Sequence, residues 1–203
     1  MPALSKKIIG ITGNIASGKT MISSYLSNKG YVIIDTDVIT ENIYVNDVYF
    51  RKELSRLLGP EIIKNDLINK HKVAQIVFSD SKLLQSLNRI IHPLIKKETQ
   101  TQINQSYGIV FVIVPLMFET DFYLLMDKII MIKVTEKIQL ERLMKRNNLS
   151  ETQAWQRIRP QLKQDEKIRR ADYVIDNSGD VTSLYRQVDF ILAEIEAEHE
   201  LSA

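Results

Sequence analysis

The stretch Gly13-Asn14-Ile15-Ala16-Ser17-Gly18-Lys19-Thr20 fits G-x-x-x-x-G-K-[ST] and directly follows a short β-branched run, Ile8 to Ile11. The two fixed glycines let the chain curl so that successive backbone N–H groups point at phosphate oxygens. A helix opening at Met21 adds the partial positive charge of its N-terminus. Lys19 places an ammonium on β- and γ-phosphates, and the Thr20 hydroxyl is suited to Mg²⁺ bridging the same oxygens. The alternative is a glycine-bearing turn with a chance lysine, and the strand, loop and helix context argues against it. A nucleoside triphosphate is the expected ligand.

Acidic and basic residues follow at the ends of the next runs. Asp35-Thr36-Asp37 ends the second run, Tyr31 to Ile34. On an extended segment two carboxylates at this spacing point the same way. One could then orient or deprotonate an attacking hydroxyl while the other joins the Mg²⁺ shell. Thr36 or Asp37 could instead cap a following helix. The third run leads into Val114-Pro115-Leu116-Met117-Phe118-Glu119, an acid past the same sheet edge or a surface residue. Arg142 and Arg146 share a helical face with Ile138, and guanidinium forks suit a migrating phosphoryl group. The further cations Arg157, Arg159, Lys163, Lys167, Arg169 and Arg170 read mostly as solvated. His92-Pro93 reads as a helix start with proline in its first turn. Trp155, Tyr44, Tyr49 and Phe50 read as core.

These residues need a scaffold that gathers strand ends along one edge. The runs Ile8 to Ile11, Tyr31 to Ile34, Ile109 to Val114, Ile129 to Val134 and Tyr173 to Ile175 are nearly all apolar. Such strands are buried on both faces, as in a parallel sheet flanked by helices. The expected fold is α/β, a five-stranded parallel sheet of the phosphate-loop NTPase type with a helical insertion and a helical lid. The stretch from Thr36 to Tyr107 is too long for one crossover and reads as several amphipathic helices. The acidic tail Glu194 to Glu200 reads as a fraying final helix.

The composition excludes several classes. With 203 residues, 44% hydrophobic and 26% charged, the chain is globular rather than disordered. A net charge of +2 gives no broad basic field, so no nucleic-acid partner is expected. Absent cysteine and three scattered histidines leave neither thiol chemistry nor zinc-ligand spacing. The longest apolar stretch, Ile109 to Phe118, falls short of the ~18 residues of a membrane span. The expectation is a cytoplasmic protein without a membrane partner, a monomer or weak homo-oligomer. A GTPase is disfavoured because no Asn-Lys-x-Asp follows the fourth run, which continues Val134-Thr135-Glu136-Lys137. A small-molecule kinase remains, with another nucleotide or small-metabolite kinase, or a non-catalytic ATP-binding regulator, as alternatives.

In order along nearly the whole chain, the motifs resemble those of the dephospho-CoA kinases. The set comprises the phosphate loop, Val32 through Asp37, Ile91-His92-Pro93-Leu94, Val114 through Glu119, the pair Arg142 and Arg146, and Ala171 through Gly179. The resemblance implies transfer of the ATP γ-phosphoryl, with Mg²⁺, to the ribose 3′-hydroxyl of dephospho-CoA. It implies a nucleotide core over 1–35, 108–146 and 171–203, a CoA-binding insertion over 36–107 and a lid over 147–170. It further implies that Asp37 is the base, with Lys19 and Arg146 on the phosphoryl group. ATP would be held by residues 13–21, Arg142, Asn177 and Gly179, and the acceptor by Asp35, His92, Pro115 and Glu119. Four positions depart from the family pattern: Asn14 for glycine, Glu41 for a basic residue, Asn147 for aspartate and Pro160 within the lid. Asn14 should be tolerated if its backbone does not require positive φ, or if it adopts the left-handed conformation.

Overall fold

Residues 6–201 are described by a computed structural model. In chain order the elements are β1 (Lys7–Gly13), α1 (Lys19–Asn28), β2 (Val32–Asp35), α2 (Thr36–Asn46), α3 (Val48–Leu58), β3 (Ile63–Lys64), β4 (Leu67–Ile68), α4 (Lys70–Ser79) and α5 (Ser81–Gln105). They continue with β5 (Ile109–Ile113), β6 (Lys128–Lys133), α6 (Glu136–Asn147), α7 (Glu151–Ile158), α8 (Gln164–Ile168), β7 (Tyr173–Asp176) and α9 (Val181–Glu200). The chain divides into two compact units: residues up to 35 with those from 103 onward, and residues 36–102.

In the first unit the five apolar runs form one parallel sheet of order β2-β5-β1-β6-β7. All carboxyl ends therefore lie along one edge. The chain reverses direction of travel about central β1, which puts the turn after Gly13 at the point where open α/β sheets bind ligands. Ile9, Ile11, Phe111 and Ile132 are at or below 1% exposure and pack with Ile22 and Leu26 of α1 and Leu184, Val188 and Ile195 of α9. Each such side chain contributes about 2 kcal/mol by leaving water. The acidic tail does not fray: Tyr31 donates to Glu196, and Glu198 pairs with Lys7 at 2.5 Å. These tethers to partly buried residues far away in sequence offset the local charge repulsion.

The second unit is helical, with Ile39, Ile43, Phe50, Leu54, Ile62, Val73, Val77 and Ile91 buried. Asp47 and Asn69 cap α3 and α4, accepting from Phe50 N (2.8 Å) and Lys72 N (3.1 Å). The purely helical expectation misses the antiparallel pair β3 and β4, joined by Asn65 and Asp66, both at positive φ as a tight hairpin requires. Pro93 is inside α5 rather than at a helix start. It forfeits one backbone hydrogen bond there while a long helix continues past it. Of the aromatics expected in the core, Phe50 is buried and Tyr44 half-buried against it, ring centroids 4.9 Å apart, whereas Tyr49 is 60% exposed. No helix among the described residues is long and apolar enough to cross a membrane.

Candidate active site

The turn after β1 is tight because side chains would obstruct it. A Cβ on Gly13 would meet Ser17 Oγ at 2.5 Å and Ile132 O at 2.7 Å, and one on Gly18 would collide with Asn177 Nδ2. Gly18 sits at φ 98 as the N-cap of α1, with no side-chain cap and no acid in the first turn. That end of the helix is open to an anion. Ala16, at φ 62, takes the left-handed conformation, whereas Asn14 is not among the residues at positive φ. The replacement of glycine by Asn14 therefore costs no backbone strain. Lys19 Nζ donates to Gly13 O (2.7 Å) and Asn14 O (3.3 Å), folding over the loop it is to serve. Thr20, in the first turn of α1, is exposed.

Neutral amides hold this loop, and residue patterns alone did not single out two of them. Gln139 on α6, 1% exposed, donates to Ile15 O (2.9 Å), and Gln161 Oε1 accepts from Ile15 N (2.8 Å). Asn177, 2% exposed, donates to Ser17 O (2.8 Å), so its side chain supports the loop from beneath. Asn14 Nδ2 donates to Leu162 O at 3.3 Å. Ile15 and Ala16 also pack on a cluster of Leu143, Ala154 and Ile158 from α6 and α7.

Beside the loop lies a cleft of about 650 Å³, a size that suits a nucleotide. Lys133 and Asp176 from the ends of β6 and β7, Ser178, and Trp155 and Ile158 from α7 line it, with Asn14 at its phosphate-loop side. Trp155, expected in the core, is half-buried on this wall, and Arg159 lies over its ring at 5.9 Å. Asp176 accepts from Ser178 N (2.9 Å) and pairs with Lys133 (3.1 Å). Burial pushes the Asp176 carboxyl up, but the Ser178 bonds and the Lys133 charge outweigh it and hold the group below the usual carboxylate value. Gly179, next after Ser178, is exposed.

The remaining site residues divide between the two units. Asp35 closes β2 and Thr36 opens α2, so Asp37 is in a first helical turn. The expectation of two carboxylates aligned on an extended segment fails, because strand gives way to helix with no residue between. Glu119 accepts from Leu162 N (3.1 Å) and pairs with Lys167 at 2.8 Å. Lys167, expected in solvent, has no exposure and also reaches Pro115 O at 3.5 Å. Arg142 is half-buried and Arg146 exposed, its Nε donating to Asn147 Oδ1 at 3.0 Å. Pro160 follows the end of α7 and interrupts no helix. In the second unit His92 is half-buried, and burial lowers its pKa. Glu41 pairs with Lys70, so a cation stands beside the acid that departs from the family pattern.

No group of three or more acidic, histidine or cysteine side chains that could cage a metal occurs among the described residues. A hydroxyl at the open head of α1 fits Mg²⁺ all the same, because that ion keeps several waters and takes most remaining ligands from phosphates.

The family model described as "Dephospho-CoA kinase" matches residues 7–183. A curated dephospho-CoA kinase of Oceanobacillus iheyensis is 38% identical over 190 residues, covering 91% of this chain and 96% of its own. Among solved structures, one from Thermus thermophilus superposes with a TM-score of 0.81 at 30% identity, covering 93% of this chain and 97% of its own. The dephospho-CoA kinase of Campylobacter jejuni does so with a TM-score of 0.72 at 25% identity, covering 94% and 98%.

Proposed function

The chain belongs to the dephospho-CoA kinase family, and from that premise we infer that it transfers the γ-phosphoryl group of ATP to the ribose 3′-hydroxyl of dephospho-CoA, giving coenzyme A and ADP. The observation that carries the nucleotide half is the loop after β1, uncapped, glycine-kinked and braced beside a cleft of nucleotide size. The acceptor half rests on the family.

Phosphoryl transfer of this kind passes through a loose transition state, so positioning and charge do most of the work. Backbone N–H groups within residues 13–21 hold the phosphates, those of Ile15 and Ser17 excepted because they go to Gln161 and to Asn14 O. The Lys19 ammonium leaves the Gly13 and Asn14 carbonyls for the β- and γ-oxygens. Thr20 would hold Mg²⁺, which supplies charge neutralisation on those same oxygens. The base occupies the cleft walled by Trp155 and Ser178. Asp37 orients the 3′-hydroxyl and takes its proton as the new O–P bond forms and the bond to the β–γ bridging oxygen breaks, the electron pair leaving with ADP. Arg142 and Arg146 neutralise the migrating group. Asp35 and His92 belong to the acceptor side. The Glu119 carboxylate is committed to Lys167 and Leu162, so we assign it and Pro115 to holding segment 161–167 rather than to the acceptor. ATP and dephospho-CoA as substrates favour a cytoplasmic setting.

The test is ADP release by the purified protein with MgATP and a panel of acceptors. Dephospho-CoA should support turnover where adenosine, AMP and shikimate do not. Turnover on another acceptor instead would keep the phosphate loop and discard the assignment of substrate.

A further inference from the structure

A loop that binds phosphates by its backbone works only if its peptide planes are already turned the right way, since reorienting them on binding would cost affinity. Here the 14–15 peptide is held through the Ile15 N–H, and the Asn14 side chain beside it is tied to the same segment. Gln161 Oε1 accepts from Ile15 N at 2.8 Å, while Asn14 Nδ2 donates to Leu162 O at 3.3 Å. In both bonds the loop donates to segment 161–162, once from loop backbone to a side chain and once from a loop side chain to backbone, and between consecutive residues on each side they form a two-point bridge. The far side of the bridge is itself anchored: Leu162 N donates to Glu119, and Gln164 exchanges bonds with both backbone groups of Val134, at 3.0 and 2.9 Å. Segment 161–164 is thus a fixed wall against which the loop is set.

We propose that Asn14 and Gln161 are positioning residues for the kinase reaction, together fixing the phosphate loop in its binding conformation before nucleotide arrives. Neither side chain needs to touch the phosphoryl group. Asn14 is 4% exposed, with its amide nitrogen spent on Leu162, and Gln161 spends its carbonyl on a loop N–H. The asparagine that departs from glycine is then one end of a tie between the loop and its wall. This inference rests on the kinase assignment for its functional consequence, but not for its binding consequence.

The test uses the full chain and its single tryptophan, Trp155 on the cleft wall, as a fluorescence reporter of binding. Asn14→Ala and Gln161→Met should each raise the MgATP dissociation constant about fivefold, the worth of one net hydrogen bond. The double variant should fall well short of the product of the two, because a bridge broken at one point has little left to lose at the other. Adenosine, which lacks phosphates, should lose much less affinity for the variants than MgATP does, and KM for dephospho-CoA should not move. Unchanged MgATP affinity in Asn14→Ala, a multiplicative double variant, or equal losses for adenosine and MgATP would each overturn the proposal. If the parent binds MgATP and the variants weaken it as stated, yet dephospho-CoA supports no turnover, the bridge stands and the kinase assignment fails.

Discussion

The Lys167 ammonium, without exposed surface, lies 2.8 Å from the Glu119 carboxylate, whose side chain keeps 22% of its exposure. The pair joins the segment after β5 to α8. Arg170 adds to the junction by lying over the rings of Phe118 at 4.4 Å and Tyr123 at 4.9 Å. Removing one partner strands the other charge in a dry site, so Glu119→Ala should cost about 3 kcal/mol. Adding Lys167→Met should restore part of that loss. Urea unfolding at unchanged m-value would measure both.

Gly18→Ala should abolish nucleotide binding while leaving the sheet folded. The position requires φ 98, which costs an L-residue about 1–2 kcal/mol. The new methyl would also collide with the Asn177 amide that supports Ser17 O. Titration with MgATP and circular dichroism on the same sample would separate loss of binding from loss of fold.

Asp37→Asn keeps the size of the side chain and removes its basicity. Turnover should fall about 10²- to 10³-fold with MgATP binding intact. Steady-state kinetics paired with direct nucleotide titration would check both halves of that statement.

Burial holds the half-buried His92 imidazole below the ordinary histidine value of 6.5. The unfolded chain therefore takes up this proton more readily than the folded one. Its contribution to stability is present above pH 6.5 and is lost as the pH falls through the lowered folded value. Urea midpoints measured from pH 8 to pH 5 should decline more steeply in the parent than in His92→Gln.

What could be read in the sequence follows the range of the interactions involved. The five sheet strands announce themselves because a doubly covered strand is apolar throughout, and the phosphate loop because glycine, lysine and threonine sit at fixed local spacing. Gln139 and Gln161 are not singled out by pattern, and Lys167 reads as solvated, because each is polar, lies in a polar stretch and finds its partner far along the chain, at Ile15 or Glu119. Nothing local distinguishes them from solvated neighbours. Pro93 misled because proline usually marks a helix boundary, whereas α5 carries on past the lost hydrogen bond. Asp35 and Asp37 misled because strand alternation does not extend the two residues beyond the end of β2 that the alignment requires.

The central claim is tested most directly by the product formed from MgATP and dephospho-CoA with the purified protein. Mass spectrometry should show one added phosphoryl group, and phosphorus NMR should place it as a ribose 3′-monoester, coenzyme A itself. An unchanged acceptor alongside bound ATP, or a phosphoryl group at any other hydroxyl, would contradict the account.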